Sequence, residues 1–363
     1  MLPHSCDSLS ASGTLRVNLT NPLSTKWLPF DPKCQPLPEY LPALWHLAHG
    51  STAEPTYPLS GFNEDYLLVN AGPLPSQPVN ETLANITRAT YDLDPVSFLQ
   101  KKRKYPPTVL IMGDSVDRNG LVNFCQMMKT NLTISHYADL NNHPPGPVAS
   151  DLTLTHGPKF DGWDQRGLPH RCEVGFAAES GKAGTALRVI NGFHYGMDAL
   201  DEFNTPGHSD WHAPGRVEVR IDKLFVPMID QLGGADKVDL IIFHSGMWDL
   251  VSPKRAPLSH PRGLTDHLVG FGQALFGMQD DKTSWALTKP LTAEQLAWWQ
   301  DRMRRTLAHV RHRFPKARLV LRKQHRVDEA LKGTPYITNL RVHQLRHLQE
   351  EIARSEGLPT FGQ

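Results

Sequence analysis

The sequence predicts a mixed α/β fold: a three-layer, doubly wound parallel sheet with helices on both faces. Two observations predict it. Short apolar segments typical of buried strands alternate with longer segments whose apolar residues recur at helical spacing. The chain also has 363 residues, enough for one large α/β domain or two modest ones, and its 30 prolines and 27 glycines indicate many loops.

The strand-like segments are short, and most are followed by a turn or by a helical pattern. The third is almost wholly apolar, which favours a central position in the sheet. Strands are predicted at residues 108–112, 187–191, 238–243 and 318–321, with a fifth strand or its approach at 358–361.

Apolar side chains at helical spacing predict a helix directly after Gly113-Asp114-Ser115, a second helix over 217–232 and two more towards the C-terminus. Residues that bend or bound helices lie at the expected places. They are Pro227 as a kink or break in the second helix, Thr292 with Gln295 as a capping box, Pro315 as a stop, Asn339 as the cap of the last helix and Gly357 as its end.

The chain divides by composition into two parts. Residues 1–104 are predicted to form an irregular Cys- and Pro-rich lobe followed by a polar loop, and residues 105–363 the α/β domain. Within that domain, segments 141–171 and 253–290 are expected to be loops because they lack periodicity and are rich in polar residues.

Charge and hydropathy exclude several classes of function. The net charge is +1, so the composition gives no sign of a polyanion-binding protein. The Arg- and His-rich stretch 302–326 belongs largely to the outer face of an amphipathic helix, and we expect no nucleic-acid partner. No apolar run is long enough to cross a bilayer, and the first residues do not form a signal peptide. A targeting segment or membrane anchor would therefore lie outside this chain.

Four Asn-x-Ser/Thr sequons indicate a secretory-pathway protein, in the Golgi lumen or outside the cell. In that compartment an even number of cysteines suggests disulfides, and we expect Cys6–Cys34 and Cys125–Cys172. Cys125 fits a small buried hydrophobic residue on a helix equally well. The sequons lie at Asn18, Asn80, Asn85 and Asn131.

Ser115 is the candidate nucleophile. A strand-to-helix turn brings its hydroxyl to the carboxyl edge of the sheet and directs the free N–H groups of a helix N-terminus at the same place. These are two components of an acyl-transfer site. The alternative is that Ser115 only caps the helix. The segment beginning with His244 and the segment with Asn191 and Gly192 each follow a predicted strand and reach the same edge.

Several segments together resemble the PC-esterase group of the SGNH/GDSL superfamily, which includes trichome-birefringence-like proteins, Cas1-type sugar O-acetyltransferases and many fungal proteins. The first is Gly113-Asp114-Ser115 with Arg118 and Asn119. The others, in order along the chain, are Cys6-Asp7, Trp27, Cys34, Arg171-Cys172, residues 191–196, residues 243–249 and residues 320–325.

The resemblance implies an SGNH hydrolase-like fold and acyl-ester chemistry on a carbohydrate, either O-acetyl transfer or esterase activity. Ser115 would be the nucleophile, and the partners a polysaccharide or oligosaccharide acceptor and an acyl donor, with no cofactor. The Ser115 N–H, with Gly192 or Asn191 and His244, would support the oxyanion. Asp114 and Arg118 would brace the turn.

The chain departs from the family in two places. His244 stands where relatives often carry Asn, and no Asp-x-x-His motif, the family's source of the catalytic base, occurs in the sequence. We therefore expect a chain truncated at its C-terminus or a degenerate homologue. The alternatives to the enzyme are a catalytically inactive carbohydrate-binding homologue and a small-ester hydrolase.

Other histidines offer substitutes for the missing base. His208, Asp210 and His212 lie close together and could also form a metal site, although solvated side chains in a loop explain them as well. His325, after the fourth strand, is a further candidate base. We expect no metal site, because none of these patterns has the spacing of a known motif.

Overall fold

The computed structural model describes residues 13–16, 26–30, 40–50, 105–135, 169–178, 184–197, 216–251, 290–325 and 337–361. The chain forms two compact units. One comprises residues 1–106 and 174–187, and the other residues 107–173 and 188–363. Residues 174–187 thus join the N-terminal unit, although they lie far from it in the sequence.

The first unit contains a two-stranded antiparallel sheet and a helix. Strand β1 (Gly13–Arg16) pairs with β2 (Lys26–Pro29), and helix α1 (Tyr40–His49) follows. Trp45 and Leu47 of this helix are buried, and the Leu47 carbonyl accepts the Ala177 N–H at 2.7 Å. Cys6 and Cys34 lie outside the described residues, so the disulfide between them stays a prediction.

The second unit is built on a seven-stranded sheet whose order is β4-β5-β6-β3-β7-β8-β9. The pairs β6–β3, β3–β7, β7–β8 and β8–β9 are parallel, which confirms the mixed α/β class and a mostly parallel sheet. The strands are β3 (Thr108–Gly113), β4 (Leu132–Ile134), β5 (His170–Gly175), β6 (Thr185–Phe193), β7 (Leu240–Phe243), β8 (Arg318–Arg322) and β9 (Thr360–Phe361).

The expectation of a wholly parallel sheet was wrong at one edge. Strand β4 pairs antiparallel with β5, and neither strand was predicted. In β5 the buried positions are His170, Cys172 and Val174, so the strand alternates in burial while a polar ring occupies one buried position. The pattern of residue types therefore did not show the alternation.

The helices of the second unit begin with α2 (Ser115–Met127). Helix α3 has three segments, Val217–Arg220, Ile221–Phe225 in π-helical form and Val226–Gln231, and it runs through Pro227 without a break. The proline directly follows the π-helical segment, in which the Val226 N–H donates to the Ile221 carbonyl, and this irregular turn lets the helix continue past a residue that has no N–H. A short 3₁₀ turn, Ala235–Lys237, and helices α4 (Met247–Val251), α5 (Ala293–Arg313) and α6 (Asn339–Ser355) complete the set of described helices.

Apolar clusters lie on both faces of the sheet. In β6, Ile190 belongs to a large buried cluster, whereas its neighbour Val189 packs against a small one. Successive side chains of a strand point to opposite faces, so the two clusters cover different faces of the sheet. The large cluster includes Phe225 of α3, Trp299 of α5 and Leu345 of α6, and the small one includes Leu121 and Cys125 of α2.

The helix ends follow the predicted capping chemistry with one correction. The Thr292 hydroxyl accepts the Gln295 N–H at 3.2 Å, and Gln295 Oε1 accepts the Thr292 N–H at 2.8 Å, which confirms the capping box of α5. Thr338, not Asn339, caps α6, since its hydroxyl accepts the Arg341 N–H at 3.3 Å. Gly357 has a φ of 63°, a left-handed conformation that glycine adopts without strain after a helix.

None of the described helices combines the length and the hydropathy that a bilayer crossing requires.

Candidate active site

The turn between β3 and α2 is held by a capping box. Asp114 is the N-cap: its Oδ1 accepts the Val116 N–H at 2.8 Å, and its own N–H donates to Asp117 Oδ2 at 3.2 Å. Ser115 is the first residue of the helix, so the interpretation of Ser115 as the cap was wrong. The side chain of Ser115 is therefore not used to begin the helix.

Gly113 is required by this capping box. A Cβ at position 113 would overlap the Asp117 carboxylate, which occupies the space beside the glycine. The first residue of Gly113-Asp114-Ser115 thus has a packing reason that is independent of chemistry.

The Ser115 hydroxyl is half-buried and has no hydrogen-bond partner among the described residues. It lies where β3, a central strand, meets the N-terminus of α2. Backbone N–H groups of a first helical turn have no intrahelical acceptor, and the helix dipole adds positive potential there. The position favours a nucleophile and an adjacent developing negative charge.

A buried cluster of charged groups lies beneath this turn. Asp114, Asp117 and His244 are 5%, 7% and 0% exposed, and Arg322 at the end of β8 is half-buried. Arg322 Nη2 donates to Asp117 Oδ2 at 3.0 Å, and His244 Nδ1 lies 3.3 Å from the same oxygen. The cluster joins the ends of β3, β7 and β8 through their side chains.

The ring of His244 has partners at both nitrogens. Nε2 donates to Gln324 Oε1 at 2.9 Å, and Nδ1 lies 3.1 Å from Arg322 Nη2. Its backbone N–H donates to the Met112 carbonyl of β3 at 2.8 Å. The oxyanion role of His244 stays a prediction, and the described contacts give its ring a structural part in the cluster.

The pKa of the Asp117 carboxyl is below its ordinary value of 3.8, although burial alone would raise it. The hydrogen bond and charge of His244, followed by the charge of Arg322, outweigh the burial. Asp117 is therefore ionised at neutral pH. It supplies negative charge to the cluster and is unsuited to giving or taking a proton there.

His194, which follows β6, is hydrogen-bonded to the backbone of His244. Its Nε2 donates to the His244 carbonyl at 2.7 Å, and its Nδ1 accepts the Gly196 N–H at 3.2 Å. Burial lowers the pKa of the His194 imidazole to about 4. The ring is therefore neutral at pH 7 and both of its nitrogens are used in the fold.

Asn191 and Gly192 lie in β6, next to β3. Asn191 is fully buried; its Nδ2 donates to the Ile111 carbonyl at 3.3 Å, and its Oδ1 has no partner. A Cβ on Gly192 would meet the Phe225 ring at 2.9 Å, so glycine is needed for close packing of α3. Both residues have structural reasons, and their oxyanion role stays a prediction.

For His325 the sequence pattern contains little evidence of a role in the site. It is half-buried, its ring centroid lies 5.5 Å from that of His244, and its Nδ1 is buried without a hydrogen-bond partner. Asp114 Oδ2 is likewise buried without a hydrogen-bond partner. The signal in the sequence was position alone, because His325 follows closely after a predicted parallel strand.

Asp114, His244 and His325 each place one possible ligand atom within 4.8 Å of the others, a spacing that a metal ion could use. However, Arg322 lies 3.1 Å from Nδ1 of His244, and Gln324 occupies Nε2. A cation bound through His244 would face the guanidinium charge directly. The arrangement suits proton transfer better than metal binding. His208, Asp210 and His212 lie outside the described residues.

The structure also describes four further residues that were predicted from the sequence. Cys125 and Cys172 form the expected disulfide, which joins α2 to β5. The Arg118 guanidinium lies 5.5 Å from the centroid of the Phe193 ring, a cation–π contact between α2 and β6. Asn131 is exposed, whereas the other sequons, Asn18, Asn80 and Asn85, lie outside the described residues.

Asp249 in α4 fixes the loop that follows β7. Its carboxylate accepts the Met197 N–H at 2.6 Å, the Trp299 indole N–H at 2.8 Å and the Ser245 hydroxyl at 3.2 Å. These bonds hold the segment that carries His244 against α5. No local sequence pattern predicts these three hydrogen bonds of Asp249.

Comparison with known proteins supports no argument about the fold or the site. No protein-family model matches the sequence, and no curated protein matches it. Among solved structures, the chain is similar to a protein described as a GDSL-like lipase from Parabacteroides merdae ATCC 43184. The sequence identity is 11%, the TM-score is 0.28, and the alignment covers 71% of this chain and 78% of that one. A TM-score of 0.28 is too low to support an argument about function.

Proposed function

We propose that this protein is a serine-dependent acyl-ester enzyme of SGNH type and that Ser115 is its nucleophile. One observation carries the proposal. Among the described residues the half-buried Ser115 hydroxyl has no hydrogen-bond partner, and it stands at the N-terminus of α2, next to a buried group of carboxylates and histidines. A serine that served only the fold would be expected to cap the helix, and Asp114 already does so.

The chemistry follows from this placement. Ser115 Oγ attacks the carbonyl carbon of an ester, and the carbonyl oxygen becomes negative in the tetrahedral intermediate. The backbone N–H of Ser115 and the positive end of the α2 dipole stabilise that charge. The alcohol then leaves, and an acyl-serine remains for water or a second alcohol to attack.

The substrate class we propose is an O-acetylated carbohydrate, with an oligosaccharide or polysaccharide as the alcohol partner. The support is the resemblance of the motifs around Ser115, His244 and Arg322 to a group of carbohydrate acetyl transferases and esterases. We also propose a location in the secretory pathway or outside the cell. The Cys125–Cys172 disulfide and the exposed sequon at Asn131 agree with that compartment.

A fluorophosphonate probe tests the nucleophile. The full chain should be labelled at Ser115, identified by peptide mass spectrometry, and should hydrolyse p-nitrophenyl acetate. Ser115→Ala should lose both properties, whereas Ser135→Ala, a change at a half-buried serine after β4, should keep them. Absence of labelling in a folded wild-type chain would overturn the proposal.

Product analysis separates transfer from hydrolysis. The chain is mixed with an acetyl donor and an oligosaccharide, and acetate is measured both on the sugar and free in solution. Acetyl groups on the sugar indicate a transferase, and free acetate indicates an esterase. The missing Asp-x-x-His motif favours an inactive carbohydrate-binding protein as the second candidate; it predicts oligosaccharide binding without either product.

A further inference from the structure

We infer that His325 is the catalytic base for Ser115 and that Asp114 is the residue that positions it. The inference rests on the proposed function and supplies the base that the sequence motif lacks. It assigns to the turn of α2 and the segment after β8 a catalytic set in which the carboxylate and the nucleophile are neighbours in the chain.

The first support is a pair of unsatisfied polar atoms. Asp114 Oδ2 and His325 Nδ1 are both buried, and neither has a hydrogen-bond partner within the described part of the chain. A carboxylate oxygen of Asp114 and a ring nitrogen of His325 lie within 4.8 Å of each other. Buried polar groups normally find a partner, so a change of side-chain conformation that brings Asp114 Oδ2 to His325 Nδ1 would satisfy both atoms. Catalytic hydrogen bonds are often long until substrate is bound.

The second support is that only one of the two carboxylate oxygens of Asp114 accepts a hydrogen bond from the described residues. Oδ1 is used to cap α2 through the Val116 N–H, and Oδ2 has only the more distant His244 Nδ1 at 3.7 Å. A carboxylate in this state can fix the turn with one oxygen and orient a histidine with the other. Ser115 is the next residue along the chain, so the carboxylate that would orient His325 adjoins the proposed nucleophile in sequence.

The third support is that the other described histidines at this edge of the sheet are unsuited to the role of base. His194 uses both ring nitrogens within the fold, and His244 has Gln324 and Arg322 at its two nitrogens. Both rings are essentially inaccessible. His325 is half-buried, and neither of its ring nitrogens has a hydrogen-bond partner among the described residues, so Nε2 is available as the base while the buried Nδ1 remains for Asp114.

The charges around His325 suit a base at neutral pH. Burial lowers the pKa of its imidazole, Asp114 and Asp117 raise it, and His244 and Arg322 lower it, with a net lowering. The ring is therefore neutral at pH 7 and able to accept a proton. When it does, the carboxylates of Asp114 and Asp117 stabilise the imidazolium.

Acylation of Ser115 begins with a proton transfer to His325. The Ser115 Oγ–H proton passes to His325 Nε2 while Oγ bonds to the carbonyl carbon and the π electrons move to oxygen. Nδ1–H meanwhile donates to Asp114 Oδ2. Collapse of the intermediate breaks the bond to the leaving alkoxide, which takes the proton from Nε2. Water or an acceptor hydroxyl then repeats the sequence, and Ser115 Oγ leaves the acyl group with that proton.

The test compares variants of the full chain by rate of probe labelling and of ester cleavage across pH. His325→Gln should lower both rates about 10²- to 10⁴-fold, and Asp114→Asn, which keeps a capping oxygen, by more than about tenfold. His347→Gln, a change at an exposed histidine of α6, should keep the wild-type rates. Imidazole in the buffer should partly restore His325→Ala. The wild-type rate should rise with pH through the pKa of His325, and the His325 variants should lose that rise.

The outcomes separate the two proposals. If the wild type is labelled at Ser115 and His325→Gln is labelled at the same rate, the base lies elsewhere: the inference fails and the proposed function stands. If the wild type shows neither labelling nor cleavage, the proposed function fails and the inference fails with it.

A titration by NMR tests the Asp114 link without activity. In Asp114→Asn the loss of the nearby negative charge should lower the pKa of His325 further, whereas Asp301→Asn, a change on the exposed face of α5, should leave it unchanged. An unchanged pKa of His325 in Asp114→Asn would overturn the positioning role.

Discussion

Arg322 Nη2 donates to Asp117 Oδ2 at 3.0 Å, and this bond ties the end of β8 to the first turn of α2 across 205 residues of sequence. Asp117 in turn accepts the N–H of Asp114 and so completes the capping box before Ser115. The position of Ser115, the proposed nucleophile, therefore depends on a residue two strands away. Loss of Arg322 would affect the turn through Asp117.

We expect Arg322→Met to destabilise the protein by about 3 kcal/mol, because it removes the guanidinium from the buried Asp117 carboxylate and leaves only the His244 ring and the Asp114 N–H beside it. Urea denaturation should show a lower midpoint with an unchanged slope. The matched control is Arg305→Met: Arg305 pairs with Asp301 on the exposed face of α5, at side-chain exposures of 70% and 55%. Its loss should cost about 0.3–0.5 kcal/mol. Equal effects of the two changes would contradict the importance of the buried pair.

We expect the free energy of unfolding to fall in acid because His194 is buried in its neutral form. Burial holds the pKa of His194 at about 4, below its ordinary value of 6.5, so the unfolded chain binds the proton first. The stabilisation is complete above pH 6.5 and is lost as the pH falls towards 4. Between about pH 7 and about pH 4.5 the free energy of unfolding should fall by roughly 2–3 kcal/mol from this group.

His194→Gln should flatten that fall, measured as urea midpoints at several pH values. His325 titrates in a similar direction, so some slope will remain. His312→Gln, a change at an exposed histidine on α5, serves as the control and should keep the wild-type slope. A slope in His194→Gln equal to that of the wild type would show that His194 is not buried in its neutral form.

Two glycines should respond to alanine with opposite signs. In Gly192→Ala the new methyl group meets the Phe225 ring at 2.9 Å, and the overpacking should destabilise the protein by about 1–3 kcal/mol. Gly120 is exposed within α2 and has open space around its Cβ position. Gly120→Ala should stabilise by roughly 0.5–1 kcal/mol, because alanine favours the helix. Thermal unfolding of both variants measures the contrast, and destabilisation by Gly120→Ala would argue against the assigned helix.

The Cys125–Cys172 disulfide closes a segment with a sequence separation of 47, and we expect it to contribute about 2–4 kcal/mol. Cys125→Ala/Cys172→Ala should lower the urea midpoint by a corresponding amount. The effect of a reducing agent should be smaller in this variant than in the wild type, and the difference isolates this bond from any other. Peptide mapping without reduction should recover the two cysteines in one linked fragment; two free thiols would refute the assignment.

The central strands could be predicted from sequence because apolar residues occupy nearly all their positions. Residues 238–243 and 108–112 were identified for that reason, and Thr292 and Gln295 marked the start of α5 through local chemistry. Strand β5 was not identified, because the buried His170 breaks the apolar alternation, and β4 has only three residues. The sequence does not distinguish Thr338 from Asn339 as the cap of α6, because both residue types are favourable there.

The site was predictable only as far as chain topology allowed. Residues that follow parallel strands meet at one edge, which placed Ser115, His244 and His325 in the same region. Which atoms pair there depends on tertiary packing: no local pattern indicates that Arg322 contacts Asp117, or that Asp114 has an unpaired oxygen beside His325. Burial decides the pKa of His194, and the sequence does not report burial of a single ring.

Gly113 has a consequence for how such proteins are recognised. The glycine is needed because the Asp117 carboxylate fills the space of its side chain, and Asp114 is needed to begin the helix. Two of the three residues in Gly-Asp-Ser therefore belong to the scaffold. A relative that had lost its chemistry could keep Gly113, Asp114 and Asp117 unchanged while position 115 drifted. Conservation of Gly113 and Asp114 therefore reports the start of α2, and only the residue at position 115 tests whether the proposed nucleophile has been kept.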